Sequence, residues 1–150
     1  MQLDKYNPWP KKSYSKVAAF ISSLIPGVIS LLIYIFVSML SGKGDTKIRD
    51  GAIEFISKGL LSKFFSDRGW GAFSFGWLII YWGKQNYNNT IACHERVHLM
   101  QGIKYSIAYH FIYLFDLITK GYRGVRFEVQ AYDLAYKLNK QKDLKINDYY

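Results

Sequence analysis

Cysteine is scarce in this chain: of 150 residues, only Cys93 is one. An internal disulfide is therefore excluded, and cysteine gives no sign of an oxidising compartment. Cys93 is a poor metal ligand beside His94, because adjacent helical residues point about 100° apart. A small buried core position is its expected role. Proline is also rare, at Pro8, Pro10 and Pro26. Histidine and glutamate occur three times each, as His94, His98, His110, Glu54, Glu95 and Glu128. Acidic residues number 11 against 20 lysines and arginines, for a net charge of +9. A basic balance can serve nucleic acid, a membrane surface or an acidic partner. Here the lysines are scattered, no basic stripe alternates with stacking aromatics, and no nucleic-acid motif is present. Solubility and attraction to anionic lipid are the expected uses of the charge, with no nucleic-acid partner. Internal repeats are absent as well.

Charge disappears altogether from Val17 to Leu40, VAAFISSLIPGVISLLIYIFVSML. At about 1.5 Å per residue this stretch is long enough for a hydrocarbon core of about 30 Å. A single-pass transmembrane helix over residues 17–40 is expected, behind a polar lead over 1–16. Membrane helices tolerate a pair such as Pro26-Gly27, which favours a kink. A core helix of this length is out of scale with the small domain that follows. Gly42-Lys43-Gly44 matches a signal-cleavage site poorly, so the segment is expected to stay as an anchor. Lys5, Lys11, Lys12 and Lys16 before it balance Lys43, Lys47, Arg49 and Lys58 after it, so the positive-inside rule gives no orientation.

Residues 41–67 read as a linker and an amphipathic helix. Ser41 to Thr46 is polar and glycine-containing. Ile53, Ile56, Leu60 and Phe64 then recur at helical spacing, with Glu54, Lys58 and Ser62 on the other, polar face, although Ser57 falls in the apolar stripe and Phe55 outside it. Residues 68–150 form the main domain. Ala72 to Trp82 reads as a strand or a hairpin around Gly76. Thr90 is the expected N-cap of a helix from Ile91 to about Gln101, with Gly102 as a break. A very apolar helix follows from Ile103 to about Thr119, too short and too interrupted by His110 and Asp116 to span a membrane. A last helix runs from Val125 to about Lys140. The expected fold class is α+β: an N-terminal transmembrane helix, then a small, mainly helical domain with a short β-sheet.

The chemistry gathers at His94-Glu95-Arg96-Val97-His98. Four residues apart on a helix, the two imidazoles share one face, one turn apart. Neutral imidazole suits Zn²⁺. Glu95 points to the side, where it can reach a water on the metal without binding the metal itself. Ile91, Ala92, Cys93, Val97, Leu99 and Met100 make the helix a buried one, so its imidazoles and carboxylate need satisfying. A catalytic zinc usually has three protein ligands. Glu128 is the best third, on a helix whose Ala131 and Ala135 allow close approach. His110, Asp116 and Asp133 are the competing ligands.

These residues resemble the zincin metallopeptidases, in the gluzincin branch whose third ligand is a glutamate on a later helix. More narrowly, the chain is similar to small bacterial and phage membrane-associated proteins with a HExxHxxQ helix, an aromatic helix and a later F-E-x-x-A element. Here these read His94-Glu95-Arg96-Val97-His98-Leu99-Met100-Gln101 and Phe127-Glu128-Val129-Gln130-Ala131. The resemblance covers about residues 68–140. It implies zinc ligands His94, His98 and Glu128, the general base Glu95, and a peptide or protein substrate whose backbone adds to the strand at Ala72–Trp82. Larger gluzincins carry an aspartate four residues after the glutamate ligand; here Tyr132 holds that place and Asp133 follows. Tyr105, Tyr109, His110 and Arg123 are the candidates for oxyanion stabilisation. The reading is a membrane-anchored zinc metallopeptidase. The alternative is a membrane-tethered metal-binding or interaction protein with little or no turnover.

Overall fold

The computed structural model describes residues 13–42 and 44–140. Most of the polar lead (1–12), Lys43 and the tail (141–150) lie outside the described residues. Among the described residues the fold is α+β, with five α-helices and a four-stranded mixed sheet. Helix α1 (Ser13–Ser41) runs unbroken through Pro26. It is long and apolar enough to cross a membrane, a profile that buried core helices and signal sequences share.

The stretch expected to be a linker and an amphipathic helix is instead largely a hairpin. Strands β1 (Gly44–Arg49) and β2 (Ala52–Ser57) pair antiparallel. Asp50 and Gly51 turn the chain with φ of 50° and 72°, the left-handed pair that a two-residue hairpin requires. Only the short α2 (Leu60–Ser66) is helical, after Gly59 at φ 81°. The period in β2 is two. Ala52 and Ile56 pack against one side of the sheet, Phe55 and Ile53 against the other. That alternation explains why Phe55 and Ser57 broke the helical pattern.

Strands β3 (Ala72–Phe75) and β4 (Leu78–Trp82) form the hairpin expected around Gly76. Strand β4 also pairs parallel with β2, which gives the order β1-β2-β4-β3. Residues before 68 thus belong to the same sheet as those after. On one face, Phe55, Leu78, Ile80 and Trp82 meet Val37 of α1 and Leu61 and Phe65 of α2. On the other, Ala52, Ile56, Ile79 and Tyr81 meet Ala92 and Leu99 of α3 (Asn89–Tyr105). The far side of α3 carries Cys93, Val97 and Met100, which pack on Ala131, Leu134, Ala135 and Leu138 of α5 (Arg126–Lys140). Cys93 is the core residue expected. Helix α4 (Ile107–Lys120) connects α3 to α5, followed by a 3₁₀ turn at Tyr122–Gly124. Helix α3 is therefore sandwiched, which is why it buries ten of its residues.

The cap of α3 is Asn88 rather than Thr90: its side chain accepts from the Ile91 N–H at 3.0 Å. Asn88, Asn89 and Thr90 all suit a cap, and the first of them takes it. Gly102 does not end α3, which continues to Tyr105.

Candidate metal centre

Helix α3 projects His94 and His98, and the first turn of α5 brings Glu128 to meet them. One potential ligand atom from each of the three lies within 4.8 Å of the others. The two Nε2 atoms are 3.1 Å apart. His94 Nε2 is 3.3 Å from Glu128 Oε2, and His98 Nε2 is 3.3 Å from Glu128 Oε1. A tetrahedral ion with bonds of about 2.0–2.1 Å separates its ligands by about 3.3–3.4 Å. The triangle has that size, so a metal ion fits it with little rearrangement. The donor set, two imidazoles and a carboxylate in a largely buried position, suits a divalent cation of the zinc class. Glu95, adjacent to His94, is buried to 7% exposure.

Gln101 orients His98. Its amide nitrogen donates to the Phe127 carbonyl at 3.1 Å and lies 2.9 Å from Gln130 Oε1. The Phe127 carbonyl can only accept, so the amide NH₂ must face it. The Gln101 oxygen then faces His98 Nδ1 at 2.8 Å, which puts the imidazole proton on Nδ1. The Nε2 lone pair of neutral His98 is left pointing into the triangle. Gln101 thus joins the motif helix to α5 and sets a tautomer at once.

Glu128 is held from two sides. Tyr113 donates to Oε1 and Tyr122 to Oε2, each at 2.8 Å. Burial pushes the Glu128 carboxyl up, but the His94, His98 and Tyr113 hydrogen bonds outweigh it and hold it well below the usual carboxylate range. For His98, burial pushes down, and the Glu128 hydrogen bond with the Glu95 and Glu128 charges reverses that, leaving its pKa raised. Both shifts describe a pocket that favours a cation. Asp116 supports the geometry from α4. It accepts from the Arg126 backbone N–H at 3.1 Å and from Arg126 Nε at 2.6 Å, two residues ahead of Glu128. Arg126 and Lys120 hold its carboxyl below the usual range.

Arg96, inside the motif, is fully buried. It spans to the sheet, with Nη2 2.7 Å from Glu54 Oε1 and Nη1 2.9 Å from Asp50 Oδ2. Tyr87 reaches the second Glu54 oxygen at 3.3 Å. Glu54 was expected on the polar face of a helix; in β2 it is instead a buried anchor for α3.

The competing ligands stand elsewhere. Asp116 is paired with Arg126 and Lys120, Asp133 with Lys137, and the His110 ring stacks on Phe75 at 4.4 Å. Tyr132, in the place of the gluzincin aspartate, touches the His94 ring at 4.4 Å. Buried His94 Nδ1 has no hydrogen-bond partner among the described residues. Of the oxyanion candidates, Tyr109 lies behind His98, its hydroxyl 3.2 Å from Nδ1. Tyr105 packs on Phe127. His110 shares a small cavity with His98. Tyr113 and Tyr122 went unnoticed in the sequence, because only the approach of α4 and the 3₁₀ turn brings their hydroxyls to Glu128. Comparison with protein-family models, curated proteins and solved structures gives no match to this chain.

Proposed function

We propose that the chain is a membrane-attached zinc metallopeptidase of the gluzincin type. The carrying observation is the triangle of ligand atoms at 3.1–3.3 Å with Glu95 next to it on the same helix. His94, His98 and Glu128 hold the ion. Zinc bound there supplies Lewis acidity toward a carbonyl and acidifies water. Glu95 accepts the proton of the attacking water and returns it to the leaving amine. Gln101 fixes His98, and Tyr113 and Tyr122 keep both Glu128 oxygens turned inward. Strand β3 is a sheet edge, the place at which an extended substrate backbone would add as a further strand. Helix α1 attaches the chain to the membrane, and its length and composition alone support a single pass.

One observation favours the second reading, a membrane-held metal-binding protein with little turnover. Among the described residues His94 Nδ1 has no acidic partner to orient it, and Tyr132 makes only a ring contact with His94.

The test is metal content and peptide cleavage by the full chain in detergent. About one zinc per chain is expected, lost in His98→Ala. Glu95→Gln should keep zinc and melting temperature while activity falls by a factor of about 10²–10⁴. Equal cleavage by Glu95→Gln removes Glu95 as the base. Tight zinc with no cleavage by any form selects the second reading.

A further inference from the structure

Helix α1 has two faces that run from Val17 to Ser41. The face toward the domain is mostly small and polar: Ala19, Ser23, Ser30, Val37 and Ser41 are buried, at intervals of four or seven, with Pro26 and Gly27 between them. The opposite face is hydrocarbon: Ile21, Leu24, Ile25, Leu32, Phe36 and Met39 are all exposed. Small and hydroxyl side chains toward protein with large apolar ones outward is the polarity of a helix whose outer solvent is lipid.

The docking is continuous. Ser22 Oγ donates to the Ile103 carbonyl, and Ser106 Oγ donates back to the Ser22 carbonyl. Trp77 bonds Ser23 through its indole and Ser30 through its backbone N–H. A Cβ on Gly27 would run into the Trp77 ring, so glycine gives that ring its place. Further on, Tyr34 meets Thr46 of β1, and Ser41 meets Ser57 of β2. Beside this half of α1 stand charged side chains of β1, α2 and the residues flanking α2, among them Asp45, Lys58, Lys63 and Asp67 in exposed ion pairs. The apolar outer face nevertheless continues opposite them, through Met39 and Leu40. A helix crossing the bilayer has one environment all round at each depth. Charges and an open sheet edge do not enter hydrocarbon. Only a helix lying flat gives lipid to one side and water to the other over this length.

Helix α4 adjoins α1 and carries an apolar exposed face of its own. It begins at the Ser106–Ser22 contact with α1. Its 14 residues are too short to cross. Ile107, Phe111, Leu114, Phe115 and Ile118 are exposed, Phe111 at 69% and Ile118 at 75%. Its one acidic residue, Asp116, is turned inward and paired. Lys104, Lys120 and Arg123 stand around its ends, suited to anionic headgroups.

We propose that α1 lies in the plane of the membrane surface rather than crossing it, and that α4 lies in the same leaflet, so that two helices hold the chain on one side of the bilayer. Such a chain is monotopic. The cavity that His98 shares with Ser23 and Pro26 of α1 then lies beside the lipid. The placement stands whether or not the centre binds zinc or cleaves peptides. If it does cleave, the polypeptides it meets are those at that same surface.

The experiment uses the full chain in bacterial inner membranes. Lys16→Cys and Asp45→Cys place a thiol on either side of the apolar stretch, both at exposed positions. Cys93 is fully buried, and the unsubstituted chain serves as the labelling blank. A membrane-impermeant maleimide is applied to right-side-out and to inverted vesicles. Both thiols should label in the same preparation and be protected in the other. Labelling in opposite preparations overturns the proposal. Phe115→Cys, carrying an environment-sensitive fluorophore, reads α4, with Asp133→Cys on α5 as control. The label at 115 should lose most of its emission to a lipid-borne quencher and little to aqueous iodide, with the reverse at 133. Iodide quenching at 115 equal to the control overturns the α4 placement. Protection from both quenchers also overturns it, because another protein surface then covers the face.

Discussion

The two longest helices among the described residues are built inside out with respect to each other. Helix α3 takes a glutamate, an arginine, a histidine and a glutamine into the interior. Helix α1 turns its large apolar residues outward and keeps serines for its protein contacts. The difference is one of partners rather than of composition. Three of these buried polar groups on α3 have answering groups: Glu54 and Asp50 for Arg96, Gln101 and Glu128 for His98, the Phe127 carbonyl for Gln101. Exposed apolar groups on α1 are tolerated when the surrounding solvent is lipid. Polarity at a given position thus reports what lies opposite it, and not simply inside or outside.

The largest effect should come from breaking the α3 side of this comparison. Arg96→Met leaves the Glu54 carboxylate fully buried without its guanidinium. Removing one partner of a buried pair costs about 3–5 kcal/mol. Chemical or thermal unfolding in detergent measures it. Adding Glu54→Leu should recover much of the loss, because two apolar groups need no charge compensation. A double variant as weak as the single one would mean that Arg96 acts through shape instead.

Gln101→Leu should come next. It removes the acceptor that holds the His98 proton on Nδ1 and the bridge to Phe127. Losing a partner that orients a metal-binding imidazole lowers metal affinity about 10–100-fold. Zinc titration against a competing chelator reads the change. An unchanged affinity would show that Tyr109, at 3.2 Å from the same Nδ1, suffices to orient the ring.

A smaller, sign-bearing effect concerns pH. The His98 pKa is raised above its ordinary value of 6.5, against burial, chiefly by the hydrogen bond with Glu128. In the metal-free chain this pair contributes stability that is fully present below the unfolded pKa and is lost as pH rises through the folded one. Metal needs the deprotonated ring, so zinc-dependent stabilisation should rise over the same interval. Melting curves with and without zinc from about pH 6 to 8.5 should therefore slope in opposite directions. Parallel slopes would mean that proton and metal do not compete for His98.

The motif helix, the later helix with Glu128 and the β3–β4 hairpin were legible in the sequence, because each carries its signal within a few residues. The β1–β2 hairpin was not. Ile53, Ile56, Leu60 and Phe64 fit a helical period although they belong to a strand and a separate short helix. Phe55, Ser57 and the Asp50-Gly51 turn were the local signs against it. Glu54 looked like a solvated carboxylate because its partner, Arg96, is 42 residues away. The hydroxyls of Tyr113 and Tyr122 and the amide of Gln101 gain their roles only when α4, the 3₁₀ turn and α5 close around α3. The apolar block of α1 was plain in the sequence. Its serine stripe looked incidental until the domain packed along it.

The smallest effect tests the α1 side. Ser30 is fully buried; its hydroxyl donates to the Gly27 carbonyl at 2.6 Å and accepts from the Trp77 N–H at 3.2 Å. Ser30→Ala removes that acceptor but adds no bulk. A loss of about 1 kcal/mol is expected, the ordinary size of one neutral hydrogen bond. Ser30→Leu is the sharper variant, since its side chain has to occupy the space where α1 meets the β3–β4 turn. Overpacking costs about 1–3 kcal/mol, so it should destabilise more than alanine does. A free lipid-facing position behaves in the opposite way, with leucine at least as good as serine. The order of the two variants, read by unfolding of the full chain in detergent, therefore decides whether the serine stripe is the protein-facing side of α1.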